Sequence, residues 1–145
     1  MHVDHVGYAV QEIESAVASF LSLGYCRCET EVEDRERGVR VLFLRDPGGV
    51  KIELIAPLDE NSPVSNWLQK NGNSPYHICY ESDDLAVDIA ELRKKSFIPL
   101  GSPSPALALE GRRVMFLYGK HTGLIELAET NKNDRQEGAH EVQHS

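Results

Sequence analysis

Long apolar runs are missing from this sequence: the stretch from Val39 to Leu44 is already broken by Arg40, far short of the roughly 20 residues a membrane span needs. The N-terminus, Met1-His2-Val3-Asp4, lacks the basic start and apolar stretch of a secretory signal, so a cytoplasmic address is expected. Positive charge is also short. Fifteen Lys and Arg stand against 23 Asp and Glu, a formal net charge of −8, which argues against a nucleic-acid backbone as partner. An anionic small molecule remains compatible, because Lys51, Arg112, Arg113 or Lys120 can serve one local pocket in an acidic protein. Cysteine is scarce. Cys26, Cys28 and Cys79 are odd in number, with two of them only two apart, so free thiols are expected rather than a disulfide framework. No second Cys pair follows Cys26-x-Cys28, which sets a zinc knuckle aside. Neither G-x-S-x-G nor a P-loop is present, and Gly48-Gly49 reads as turn chemistry.

What the chain has instead is a repeat. Its 145 residues, 41% apolar and 26% charged, suit one compact domain, and its two halves superimpose at an offset of 72 to 73 residues. Asp4-His5-Val6-Gly7-Tyr8 lies against Tyr76-His77-Ile78-Cys79-Tyr80, two short strands opening on a histidine. Ile13, Val17, Phe20 and Leu21 recur at helical spacing, and Leu85, Ile89 and Leu92 repeat that stripe. Gly24 suits a left-handed helix cap, and Lys94 and Lys95 suit the negative end of a helix dipole. Arg40-Val41-Leu42-Phe43-Leu44 matches Arg113-Val114-Met115-Phe116-Leu117, each followed by a Gly-containing hairpin turn and a last strand, Lys51 to Ala56 or Leu124 to Ala128. Residues 25–33 and 99–109 fill the remaining strand of each half, the second interrupted by Pro103 and Pro105.

The fold class expected is therefore α+β: two tandem β-α-β-β-β modules, 1–58 and 75–130, in a single domain over 1–130. Between them, residues 59–74 carry Ser62-Pro63 ahead of Val64 to Leu68, a capped linker helix with Pro at its first position. Trp67 reads as a packing anchor. Residues 131–145 have almost no apolar content and are expected to form a flexible tail.

The repeat makes four polar residues informative. His5 and Glu53 are 48 apart, and His77 and Glu126 are 49 apart. Taken singly, each His can be a hydrogen-bonded strand residue and each Glu a solvent-facing one. Their joint repetition favours a site in which equivalent strands bring two imidazoles and two carboxylates to one divalent ion, with Zn²⁺, Ni²⁺, Co²⁺, Mn²⁺ or Fe²⁺ as fitting choices. His2, His121, His140 and His144 have no repeat partners, and the two in the tail, His140 and His144, read as solvated.

The paired modules and the His/Glu/His/Glu set resemble the vicinal oxygen chelate superfamily, the glyoxalase/bleomycin resistance/dioxygenase group, over about residues 2–130. Within it, Asp4 to Ala9, Glu53 to Leu58, Ser62-Pro63-Val64 with Trp67-Leu68, and His77-Ile78-Cys79 followed by Asp83-Asp84-Leu85 look closest to the methylmalonyl-CoA epimerase branch. The resemblance implies a half-open mixed β-barrel around the metal, with His5, Glu53, His77 and Glu126 as its ligands, and a homodimer. It implies an isomerase or lyase that moves a proton next to a carbonyl, with Glu126 or Glu53 as the catalytic base. An epimerase-like enzyme would act on an acyl-CoA or related acid, and a lactoylglutathione lyase on a glutathione adduct. A non-catalytic drug-binding protein is the rival of another class, and a ring-cleaving iron dioxygenase is a fourth reading. Two positions depart from the epimerase pattern: Glu53 stands where Gln is frequent, and Val41 stands where a second catalytic Glu is placed.

Overall fold

In this computed structural model residues 1–131 are described; the tail expected over 131–145 lies, but for Asn131, outside the described residues. They contain ten strands and three α-helices in mixed α+β order, and the chain divides into two compact units, Val3–Cys79 and the residues from Tyr80 onward joined by Met1–His2. No helix among the described residues is long and apolar enough to cross a membrane.

The first unit runs β1 (Val3–Ala9), α1 (Ile13–Ser22), β2 (Cys26–Arg27), β3 (Val32–Asp34), β4 (Val39–Arg45), β5 (Lys51–Pro57), α2 (Pro63–Asn71) and the start of β6 (Ser74–Ser82). Its strands lie in the order β2-β4-β5-β1-β6, with β3 also on β4. β1 pairs parallel to β5, Gly7 facing Glu53, and β4 pairs antiparallel to β5, Phe43 facing Glu53. Side chains alternate between the faces of a strand. Val6, Tyr8, Leu42, Leu44, Ile52, Leu54 and Ala56 therefore turn to one face, where Ile13, Ala16 and Val17 of α1 cover them. Each side chain of this kind contributes about 1.5–3 kcal/mol when fully buried. The same alternation sends His5, Phe43 and Glu53 to the opposite face, and all three are buried.

The linker helix forms as its sequence dictates. The Ser62 hydroxyl accepts the Val64 N–H at 3.4 Å, Pro63 opens the helix, and Val64 and Leu68 are buried. Trp67 anchors it, its indole N–H donating to the Ser74 hydroxyl at 2.9 Å while its ring meets Tyr76 edge-on.

The second unit continues from β6 through α3 (Leu85–Lys94), β7 (Ile98–Pro99), β8 (Ser104–Pro105), a 3-10 turn (Leu107–Leu109), β9 (Arg113–Gly119) and β10 (Gly123–Glu129). The order here is β6-β10-β9-β7, with β8 also on β9. The Asp84 carboxylate caps α3 by accepting the Val87 N–H at 3.2 Å. Leu85, Met115, Leu117, Ile125 and Leu127 form the core, with Tyr80, Ile89, Leu92 and Phe97 half-buried around it.

Both units thus show the expected module, with one difference. The strand expected over 25–33 is two short pieces, β2 and β3, and the one over 99–109 is likewise β7 and β8. Between the first pair the exposed run Cys28 to Glu31 has no face to bury; between the second, Pro103 withholds an N–H group that a continuous ladder needs, as Pro105 does within β8.

The helix ends repeat more closely than the strands. After α1, Gly24 takes φ +95° while its N–H reaches the Leu21 carbonyl and the Tyr25 N–H reaches Phe20. After α3, Ser96 takes φ +72° while its N–H reaches Arg93 and the Phe97 N–H reaches Leu92. The cap is the same double hydrogen bond, built once on glycine and once on serine. None of Cys26, Cys28 and Cys79 forms a disulfide.

Candidate metal centre

Three of the four candidate ligands meet inside the first unit. His5 comes from β1, Glu53 from β5 and His77 from β6, and the histidine side chains are 0% exposed while that of Glu53 is 9% exposed. The Nε2 atoms of His5 and His77 each lie 3.7 Å from the same oxygen, Glu53 Oε1, and the two rings meet edge-on with centroids 5.6 Å apart. A separation of 3.7 Å is too long for a hydrogen bond. Two donors bound to one ion at about 2.1 Å lie roughly 3.0–3.4 Å apart, depending on the coordination angle. Each nitrogen is thus a few tenths of an ångström beyond the spacing to the carboxylate oxygen that ligands of a shared ion adopt, and imidazole nitrogen with carboxylate oxygen suits the divalent transition metals. The donor set fits a metal.

The positions of these side chains follow from local sequence. On β1, Gly7 is what lets His77 in: a Cβ at Gly7 would occupy the space of the His77 ring, so no larger residue fits without moving it. Edge-on contacts frame the histidines, Phe43 against His5 with centroids 5.3 Å apart and Tyr76 against His77 at 5.5 Å. The Lys51 ammonium sits over the Phe43 ring, 4.2 Å from its centroid, and pairs with Glu29 at 3.5 Å. Lys51 and Glu53 share a face of β5, which puts one cation beside the candidate centre.

Glu126, the fourth candidate, stands in the second unit. It lies on β10 opposite Phe116, 5% exposed, between Ile125 and Leu127, which turn toward the α3 core. Alternation therefore turns its carboxylate away from that core, as it does Glu53 from the α1 core, and each Glu faces a Phe across its hairpin. Arg112 and Arg113 are engaged at Glu129, the first on its carbonyl at 3.0 Å and the second on its carboxylate at 2.8 Å.

Two further residues shape the site without recurring in the repeat. Asp4 accepts from His5 Nδ1 at 2.6 Å, and Gly7 makes room for His77. A glycine amid strand-forming residues, and an aspartate directly before the repeated histidine, are the signals that point to them.

Comparison with known proteins assigns the family and the fold. Residues 4–116 match the family model described as the glyoxalase/bleomycin resistance protein/dioxygenase superfamily. The chain belongs to that superfamily. Among the relatives of this glyoxalase-superfamily chain is the ethylmalonyl-CoA/methylmalonyl-CoA epimerase of Cereibacter sphaeroides, 34% identical over 128 residues that span 86% of this chain and 95% of the relative. The crystal structure of methylmalonyl-CoA epimerase from Mycobacterium tuberculosis superposes with a TM-score of 0.79 at 28% identity, over 93% of this chain and 91% of that one. A methylmalonyl-CoA epimerase in complex with methylmalonyl-CoA and NH4+ superposes with a TM-score of 0.77 at 30% identity, over 90% of this chain and 95% of that one. The α+β fold is thus that of the epimerases in this superfamily.

Proposed function

We propose that this chain is a divalent-metal-dependent enzyme that moves a proton on the carbon next to a carbonyl, acting as an epimerase-like isomerase on an acyl-CoA or related acid. The observation that carries the reading is the pair of Nε2 atoms 3.7 Å from Glu53 Oε1. His5, Glu53, His77 and Glu126 are the proposed ligands, Glu126 joining on the strength of its repeated spacing and its burial. Ni²⁺, Co²⁺, Zn²⁺ and Mn²⁺ suit this set. When bound, such an ion supplies Lewis acidity toward the substrate's vicinal oxygens, which stabilises enolate charge by several kcal/mol.

The chain's own residues do the rest. Glu126 takes the proton from the α-carbon, and Glu53 offers a second carboxylate, so that transfer between faces does not require the carboxylate missing at Val41. Val41 and Phe43 are buried on the same face of β4 as one another, an apolar wall that keeps water from a carbanion-like species. Lys51, beside Phe43, suits the carboxylate of an acidic thioester.

Glu53 in place of the frequent Gln, together with Val41, favours a second reading, lactoylglutathione lyase acting on a glutathione hemithioacetal. One assay separates the two: solvent deuterium incorporation by metal-loaded protein into methylmalonyl-CoA, other 2-substituted acyl-CoA thioesters and the glutathione hemithioacetal of methylglyoxal. Exchange confined to the thioesters is expected, and product from the hemithioacetal alone moves the assignment to the lyase. Exchange with none of them ends both proposals in favour of a binding protein. Glu126→Gln is expected to slow exchange by about 100-fold or more, the usual scale of a general base, while metal affinity falls less, since an amide oxygen can still ligate. If Glu53→Gln loses exchange and Glu126→Gln keeps it, the base is Glu53.

A further inference from the structure

In the first unit, behind the candidate ligands, Asp4, His5 and Cys79 place one donor atom each within 4.8 Å of one another. Such a cluster has two readings, a second ion site or a support for His5, and the distances separate them. His5 Nδ1 and Asp4 Oδ2 are 2.6 Å apart. Ligands sharing an ion at about 2.1 Å cannot approach closer than roughly 3.0 Å at ordinary coordination angles. A proton, not a metal, lies between them.

A carboxylate only accepts, so the shared proton belongs to the imidazole and Nδ1 is the protonated nitrogen. That leaves the ring's lone pair on Nε2, the atom 3.7 Å from Glu53 Oε1. The His5 side chain is 0% exposed, that of Asp4 9% exposed and Cys79 fully buried. In such a setting a charge-assisted hydrogen bond is strong and poorly replaced by water. The pleat does not supply this contact by default, because successive strand side chains point to opposite faces. In the repeat the place of Asp4 is taken by Tyr76, which meets His77 through its ring.

We propose that Asp4 is a positioning residue for the metal centre: its carboxylate fixes His5 in the Nδ1–H tautomer and holds Nε2 toward the ion. This rests on the metal-site reading above for its purpose, but the tautomer itself is a property of the metal-free protein. The bond also raises the basicity of Nε2, so it strengthens the ligand as well as aiming it.

The experiment is nitrogen NMR of the histidine rings in the metal-free full chain, together with Co²⁺ and Zn²⁺ titration of the wild type, Asp4→Asn, Asp4→Ala and Cys79→Ser. Wild-type His5 is expected as the Nδ1–H tautomer. Asp4→Ala is expected to lose that preference and weaken metal binding by about 10–100-fold, the usual cost of removing a ligand's hydrogen-bond partner. Asp4→Asn, which keeps an acceptor oxygen in nearly the same shape, is expected to keep the tautomer and fall between the two in affinity, and it stands in for Asp4→Ala if that variant does not fold. Cys79→Ser is expected to bind like the wild type. An Nε2–H tautomer in the wild type overturns the proposal, as does wild-type affinity in Asp4→Ala, or a greater loss in Cys79→Ser than in either Asp4 variant. If the wild type binds neither ion while His5 keeps the Nδ1–H tautomer only with Asp4 present, the metal reading has failed and the positioning of His5 by Asp4 has not.

Discussion

In the first unit, α1 buries Ile13, Ala16 and Val17 against a continuous apolar sheet face; in the second, α3 buries Leu85 alone and leaves Ile89 and Leu92 half-covered. The packing of the two modules differs. What has stayed level is the placement of His and Glu, 48 residues apart in one half and 49 in the other, with each Glu facing a Phe across its hairpin. Core packing cannot account for that retention, since a buried ionisable residue opposes burial energetics unless something compensates it. The difference separates two demands on one repeat: covering a sheet, which many sequences can do, and presenting a donor, which few can.

Three experiments would break or sharpen that comparison. The largest effect is expected from His5→Ala and His77→Ala: either alone should weaken metal binding by more than the ~10–100-fold cost of a lost supporting hydrogen bond, and the double variant should abolish one-to-one binding in a titration of the apoprotein. If only His5 or only His77 matters, the two repeated positions are not equivalent at the centre. Next comes Gly7→Ala, which sets a methyl group where the His77 ring lies; the expected result is metal affinity at least about 10-fold weaker, on the scale of a disturbed ligand, read by the same titration. Unchanged affinity would mean that His77 is not held by this contact. The smallest effects are in the cores. Ile13→Ala should cost about 2–4 kcal/mol in denaturant unfolding, within the usual range for a buried Ile, and Ile89→Ala about half as much, because less of its side chain is covered. Equal losses would show that the uneven packing has no energetic counterpart.

Much of this was legible in the residues because the repeat tests each reading twice. A buried Glu between Ile52 and Leu54 is ambiguous, but a second one between Ile125 and Leu127 is much less so. The linker helix announced itself through Ser62-Pro63, and both hairpins through their turn residues. The division of the second strand in each module was not legible, since a periodic pattern of two or three residues is too short to count. Nor were the roles of Asp4 and Gly7, because neither recurs: the repeat places Tyr76 and Cys79 there, and a search for matching positions passes over the residues that make one half unlike the other. Supports are set by contacts across strands, which spacing along the chain does not record.

The paired helix caps carry a consequence for how such a duplication ages. Gly24 adopts its left-handed backbone at no steric cost, whereas Ser96 holds an equivalent angle at a penalty of about 1–2 kcal/mol. What the two halves share here is a torsion angle with two hydrogen bonds, at a place where they differ in the amino acid that occupies it. Kinship between the halves is inherited more faithfully as backbone shape than as spelling.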